Sequence, residues 1–238
     1  MKLRILCVKC PTRHVDELLF AEQRDDGLYR VTCPKAHESV VWLQNHKFEM
    51  LLDSGAMALL DGYPREAVSS IAASFERFLE FYIRVIVRKQ GISPETLDST
   101  WKLVSNQSER QIGSFLVAFL LENRRSPDFL ERRWIEFRNK VIHRGYIPST
   151  QEAKAYGERI FQFIKGLLND LRANSQDAIF LITAEMNSRA SQEHPGIPFA
   201  IHVIPTIIST LYPLDEGPQS FEEGLEHVRQ VKPRAYGL

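Results

Sequence analysis

Two different spacings of apolar positions divide the chain. Up to about residue 45, short apolar runs alternate with turn signals: VDELLF at 15–20, the turn Asp25-Asp26-Gly27, LYRV at 28–31 and ESVVWL at 38–43. Runs this short, bounded by such residues, predict strands joined by hairpin turns. From residue 46 the spacing lengthens to three or four, beginning with KFEMLLDSGAMALLDG. In the next segment Ala67, Ile71, Phe75, Phe78, Tyr82, Ile83 and Ile86 trace one buried helix face, with Pro64 near its start and Gly91 just beyond its end.

Three further helices follow from the same pattern. Residues 108–124 contain a run from Ile112 to Leu121 that predicts burial on most sides, at the centre of a bundle. In the next helix Ser126 is the expected N-cap, Pro127 the first helical residue and Gly145 the stop, with Phe129, Leu130, Trp134, Phe137 and Val141 on one stripe. The last of the three opens on a capping box, Ser149 or Thr150 before Glu152, and runs to about 173. The tail, 176–238, reads as mostly helical, interrupted at Gly217-Pro218, and carries no recognisable chemistry. The expected organisation is therefore mainly α: a small N-terminal β module (1–45), a helical bundle (46–175) and a helical C-terminal extension (176–238).

Composition narrows the function classes. At 238 residues, with 44% apolar and 25% charged residues, the chain can build an ordinary globular core. Its formal net charge of zero supplies no overall field for nucleic acid, so such binding would need local clusters. The longest apolar stretch, 198–214, is interrupted by His202 and Pro205 and does not span a membrane. Nor does MKLRILCVKC read as a secretion leader, so a cytoplasmic location is expected.

The three cysteines all fall within the first 33 residues, as Cys7-Val-Lys-Cys10 and Cys33, and His37 lies four positions after the last. A two-residue gap lets two thiolates face one ion, and a second turn across a hairpin supplies the remaining ligands. Simple buried thiols are the alternative, since free cysteine packs as a small hydrophobe. Residues 1–45 resemble a zinc ribbon with the ligand set Cys7, Cys10, Cys33 and His37. His14 competes for the fourth place, and Ala36 stands where such turns commonly have glycine. Four protein ligands leave no open position, so the zinc would be structural. Lys9, Arg13, Lys35 and Lys47 are the cations available to the ribbon for nucleic acid or a protein partner.

The second candidate is FRNKVIHRGYIPS, residues 137–149. Asn139 and His143, four apart, share a helix face, whereas Arg138 and His143 diverge by about 140° and need a long reach or a loosened last turn to meet. Basic residues at a helix C-terminus are also favoured by its dipole, which alone could account for them. Glu76 and Glu80 read as exposed acids paired with Arg77 or Arg84 and stand outside the expected site; the alternative is an acid packed near Arg138 that positions its guanidinium.

Arg138, Asn139 and His143, at the end of the third of four helices over residues 60–172, resemble the Arg-polar-x3-His motif of the HEPN family. The Arg-Gly-Tyr after the histidine and GYPREAVSSIAASFERFLEF as first helix add to the likeness. The resemblance implies a four-helix HEPN-like bundle and a metal-independent endoribonuclease, with two motifs brought to one site in a homodimer. His143 would exchange protons near neutral pH, Arg138 would face phosphate oxygens, Asn139 would orient the phosphate or the imidazole, and Arg144 would add phosphate affinity. It also implies a toxin or antiviral setting with an inhibitory or regulatory protein partner. Other members of that family only bind nucleotides, nucleic acid or proteins, which is the alternative for this chain.

Overall fold

The computed structural model describes residues 2–5, 7–10, 19–211 and 216–235. Arg13, His14 and residues 15–18 of the first expected strand lie outside them. Two small sheets precede and flank a mainly helical body. β1 (Lys2–Ile5) pairs antiparallel with β2 (Leu19–Glu22), Leu3 opposite Ala21. The hairpin expected across Asp25-Asp26-Gly27 is not formed, because the strands on either side of that turn belong to different sheets; instead β3 (Leu28–Thr32) pairs antiparallel with β4 (Glu38–Leu43), Leu28 opposite Trp42. The far side of β4 is occupied by β5 (Phe199–His202), which runs parallel to it with Val41 opposite Ala200.

β4 is thus a central strand, covered on both faces, as its unbroken apolar run requires. Side-chain alternation sends Val41 and Leu43 into the helical core, together with Leu3, Ile5 and Tyr29. Val40 and Trp42 point the other way, against Leu28 and Ala190. The module expected at 1–45 and the extension expected at 176–238 therefore share one sheet. Much of the second segment's helix is present, but β5 and its neighbours were hidden because the tail's apolar residues suit either state.

α1 (Lys47–Leu60) and α2 (Pro64–Lys89) pack closely, and α2 is central to the body, touching α4 (Ser108–Asn123), α5 (Arg132–Arg144) and α6 (Thr150–Gln192). Close approach of α1 and α2 depends on Gly55, where a Cβ would stand 2.6 Å from Cγ1 of Ile71. A short α3 (Pro94–Trp101), capped by the hydroxyl of Ser93 on the amide of Thr96, follows the turn at Gly91. α7 (Phe221–Ala235) lies against α1 and α6, and the ring of Phe221 fills the space above Gly157. No helix among the described residues is long and apolar enough to cross a membrane.

The cap signals at Pro64, Gly91, Gly145 and Ser149–Glu152 fall where expected. Two expectations need correction. α4 is not at the bundle centre: it buries Gln111, Phe115 and Phe119, while Val117 is 58% and Leu121 60% exposed. α5 begins at Arg132 rather than after Ser126, because Phe129 and Leu130 turn into the core and Arg159 takes the carbonyl of Phe129 at 3.0 Å. The helix end expected near 173 corresponds to a kink in α6, where Ser175 has non-helical φ −147° and ψ 27°, and helix resumes beyond it to Gln192, in keeping with the mostly helical tail.

A buried polar row at the start of α1 and just before it holds the segment after β5. Asn45 exchanges hydrogen bonds with the backbone of Ile204, Oε1 of Glu49 accepts from the amide of Thr210, and Oδ1 of Asp53 accepts from that of Ile207 at 2.9 Å. Irregular backbone can be buried only when its polar groups find partners, and these side chains supply them. Burial pushes Glu49 up to about 7, against the pull of the amides of Thr210 and His46 and the Asn45 side chain.

Candidate functional site

The structure brings two groups of side chains together. The first is at the sheet: Cys7, Cys10, Cys33 and His37 place one ligand atom each within 4.8 Å of all the others, and the four could hold a metal ion. Cys7 and Cys10 come from the turn after β1, and Cys33 and His37 from the β3–β4 connection. There Pro34 starts a turn in which the amide of Ala36 donates to the carbonyl of Cys33 (2.8 Å) and the amide of Cys33 to that of His37 (3.0 Å). Ala36 is held at φ +59°, a left-handed conformation that glycine adopts freely and alanine resists. The missing glycine is thus a local strain rather than a different turn. His14, weighed as a competing ligand, lies outside the described residues.

Electrostatics show why this group suits a cation. Burial opposes ionisation of Cys7, but the amide of Lys9 and contacts with Cys10, Ser39 and Cys33 outweigh it and bring the thiol down to about 6. Cys10 is pushed up to about 12, by burial first and then by its two sulfur neighbours. Three adjacent thiols cannot all ionise unless a positive charge sits among them.

The second group lies at the end of α5. The side chain of Arg138 reaches along the helix towards its C-terminal end, so that Nη1 donates to Oδ1 of Asn139 at 2.9 Å and lies 3.4 Å from Nε2 of His143. The divergence of positions five apart is overcome by the length of the arginine, and the last turn stays helical up to Gly145 at φ +68°. Nη2 of Arg138 forms an ion pair with Glu76 of α2, and the same carboxylate accepts from Oγ of Ser108 at 3.0 Å. Glu80, by contrast, pairs with Arg77 and Arg84 as expected. For Glu76 the expected pairing with Arg77 or Arg84 is therefore corrected in favour of the alternative: it pairs with Arg138, and Ser108 holds it in turn. Neither is visible from spacing, since the pair is 62 residues apart.

His143 and Arg144 are exposed, while Arg138 and Asn139 are half-buried. The cavities of about 360–520 Å³ elsewhere are lined by other residues, so this group stands on open surface. Tyr146 has a different task. Its hydroxyl donates to Glu152 at 2.8 Å and Lys140 sits over its ring, which fixes the turn between α5 and α6. Behind the site Trp134 and Phe137 pack on Tyr156 of α6, so the polar residues ride on a rigid apolar face. α5 itself carries Arg132, Arg133, Arg138, Lys140 and Arg144 against a single acid, Glu136, which makes it a local positive surface on a neutral chain.

Such an arrangement can grip an anion, through a guanidinium fixed by a carboxylate, beside an imidazole able to exchange a proton. Comparison of the chain with protein-family models, with curated proteins and with solved structures found no match.

Proposed function

We propose that the protein is a metal-independent endoribonuclease of HEPN type that acts as a homodimer, with a zinc ion as structural support. The observation that carries this reading is the meeting of Arg138, Asn139 and His143 on an exposed, basic helix end, with Arg138 anchored by Glu76. In the reaction the 2′-oxygen of a ribose attacks the adjacent phosphorus and the bond from phosphorus to the 5′-oxygen breaks, leaving a 2′,3′-cyclic phosphate. One imidazole takes the proton of the 2′-hydroxyl and another, in its protonated form, gives one to the departing 5′-oxygen. Arg138 faces the charge that gathers on the phosphorus oxygens. Each chain offers one such histidine in this motif, so the second comes from a second copy.

An uncovered apolar stripe on α4 supports the dimer. Gly113, Val117, Leu120 and Leu121 lie on its outward face, and Ser108 at its start touches Glu76, so a copy packed there would border the site. Support for zinc comes from bond lengths. A tetrahedral ion with about 2.3 Å to sulfur and about 2.0 Å to nitrogen has sulfur–sulfur edges of about 3.8 Å and sulfur–nitrogen edges of about 3.5 Å. Here Cys10 and Cys33 are 3.8 Å apart, and Nδ1 of His37 is 3.5 Å from Cys10 and 3.9 Å from Cys7. With four protein ligands the ion would stabilise the fold and leave no coordination place for substrate. In this reading the protein works in the cytoplasm as a toxin or defence effector restrained by a protein partner.

Incubation of purified protein with single-stranded RNA tests the proposal. The wild type should release fragments ending in 2′,3′-cyclic phosphate, and His143→Ala should release none while keeping its circular-dichroism spectrum. RNA that is retarded on a gel but left whole would replace this reading with that of a non-catalytic binding module, which the basic face of α5 also suits.

A further inference from the structure

Cys10 and Cys33 present their sulfurs to each other at 3.8 Å, although the two residues stand 23 positions apart in the chain. The sulfur of Cys7, by contrast, lies against Nδ1 of His37 at 3.9 Å and Oγ of Ser39 at 3.8 Å. Within the facing pair, Cys10 is half-buried and open to a small reagent, whereas Cys33 is only 4% exposed. One sulfur is thus reached from solvent and the other waits behind it. A thiol that is oxidised first and a second that resolves it need this layout. Both residues sit in connections rather than in strands or helices, so a short closing movement brings the sulfurs to bonding distance.

The pair is also tied to the rest of the fold. His37 directly precedes Glu38, where β4 begins, and Ser39 in β4 is fully buried with its hydroxyl against Cys7. β4 pairs with β3 on one side and β5 on the other. The state of these four side chains therefore bears on the strand that joins the N-terminal and C-terminal segments.

We propose that Cys10 and Cys33 are a peroxide-sensitive pair: oxidation links them in a disulfide and discharges the zinc that the four side chains hold when reduced. The zinc half rests on the structural ion of the proposed function, and the pair itself rests on the sulfur geometry. In the first step the sulfur of Cys10 attacks one oxygen of hydrogen peroxide and the oxygen–oxygen bond breaks. The other oxygen leaves with the thiol proton as water, and Cys10 becomes a sulfenic acid. In the second step the sulfur of Cys33 attacks that of Cys10, the sulfur–oxygen bond breaks, and the hydroxyl departs with the proton of Cys33 as a second water. Each sulfur gives up one electron and the peroxide takes both. Where the sulfurs begin as thiolates around an ion, water supplies the two protons. Cys7 and His37 are then the remaining ligands, and two do not complete a tetrahedron. Because the disulfide spans the same two turns, they stay joined without the ion, and a reductant restores the site.

The test uses the full chain, reduced and freed of reductant, with its zinc content measured at the start. Hydrogen peroxide is added stepwise, released metal is read with a chromophoric chelator, and free thiols are blocked with iodoacetamide before peptide mapping by mass spectrometry. Zinc should leave in step with the loss of two alkylatable thiols per chain, a Cys10–Cys33 crosslink should appear, and Cys7 should remain alkylated. Dithiothreitol and added zinc should restore the starting state. Cys7→Ser should form the same crosslink. A crosslink between Cys7 and Cys10 would overturn the pair, as would three thiols still alkylated after peroxide that oxidises free glutathione in the same tube. Zinc still bound once the crosslink has formed would overturn the discharge. A chain that holds no zinc at the start yet forms the Cys10–Cys33 crosslink would support the pair and overturn the zinc reading instead.

Discussion

Ala36→Gly gives a quantitative test of the proposed metal-binding turn. Ala36 sits at φ +59°, between the amide bonds that tie Cys33 to His37. Placing an L-residue with a Cβ there costs about 1–2 kcal/mol. Glycine removes that cost but adds chain freedom to the unfolded state, which returns about 0.5–1 kcal/mol. The net gain is about 0.5–1 kcal/mol, felt only when the turn is formed. Since the turn carries two of the four ligands, the variant should hold zinc about two- to fivefold more tightly. In excess zinc its melting temperature should rise by about 1–4 °C. Competition against a chromophoric zinc chelator measures the first quantity and a calorimetric melt the second. Equal or weaker zinc retention in the variant would refute the reasoning, because the strain assigned to Ala36 would not be part of metal binding.

Two glycines of α6 should respond in opposite directions to alanine. At Gly157 a Cβ would meet the Phe221 ring at 2.3 Å, and overpacking should destabilise by about 1–3 kcal/mol; Gly166 has nothing within 4 Å, and Gly166→Ala should stabilise by about 1 kcal/mol. Urea denaturation of both variants checks this, and the same sign for both would contradict the placement of α7. Burial alone holds the imidazole of His46 down at about 4, below its unfolded value, so its contribution is intact above pH 6.5 and lost as pH falls towards 4. Wild type should therefore lose melting temperature relative to His46→Phe across that window and track it above pH 7; parallel curves throughout would contradict the burial. Glu76→Gln keeps an acceptor for Ser108 but removes the charge opposite Arg138, a loss of about 1 kcal/mol of anchoring. In the cleavage assay kcat should fall about fivefold with KM little changed, and an unchanged kcat would remove Glu76 from its positioning role.

What was legible in the sequence was local. Caps and stops at Pro64, Gly91, Gly145 and Ser149 act within one turn of the chain, and spacing alone located them. The cysteine–histidine group was legible because Cys7, Cys10, Cys33 and His37 come from two short turns brought together by small sheets. Misreadings arose where a distant contact overrode a local signal. Ser126-Pro127 looks like a helix start, yet Phe129 gains more by joining Phe75, Phe115 and Phe163 than by continuing a helix. The apolar run of α4 suggests burial all round, yet only Phe115 and Phe119 among its large apolar side chains are fully enclosed. Glu76 could not be chosen over Glu80 from sequence, because Arg138 approaches from another helix. β5 was missed because its partner strand is far away in the chain.

Zinc retention, thiol oxidation and helix packing can each be tested separately, but the functional account depends on two copies of one motif sharing a phosphodiester. The most direct measurement is the RNA cleavage rate of a fixed amount of wild type, equilibrated with increasing His143→Ala protein. If each site needs an imidazole from both subunits, the rate should fall steeply, because wild-type chains become trapped in inactive mixed pairs. A rate that stays constant as the variant is added, or a wild type that cleaves no RNA, would contradict it.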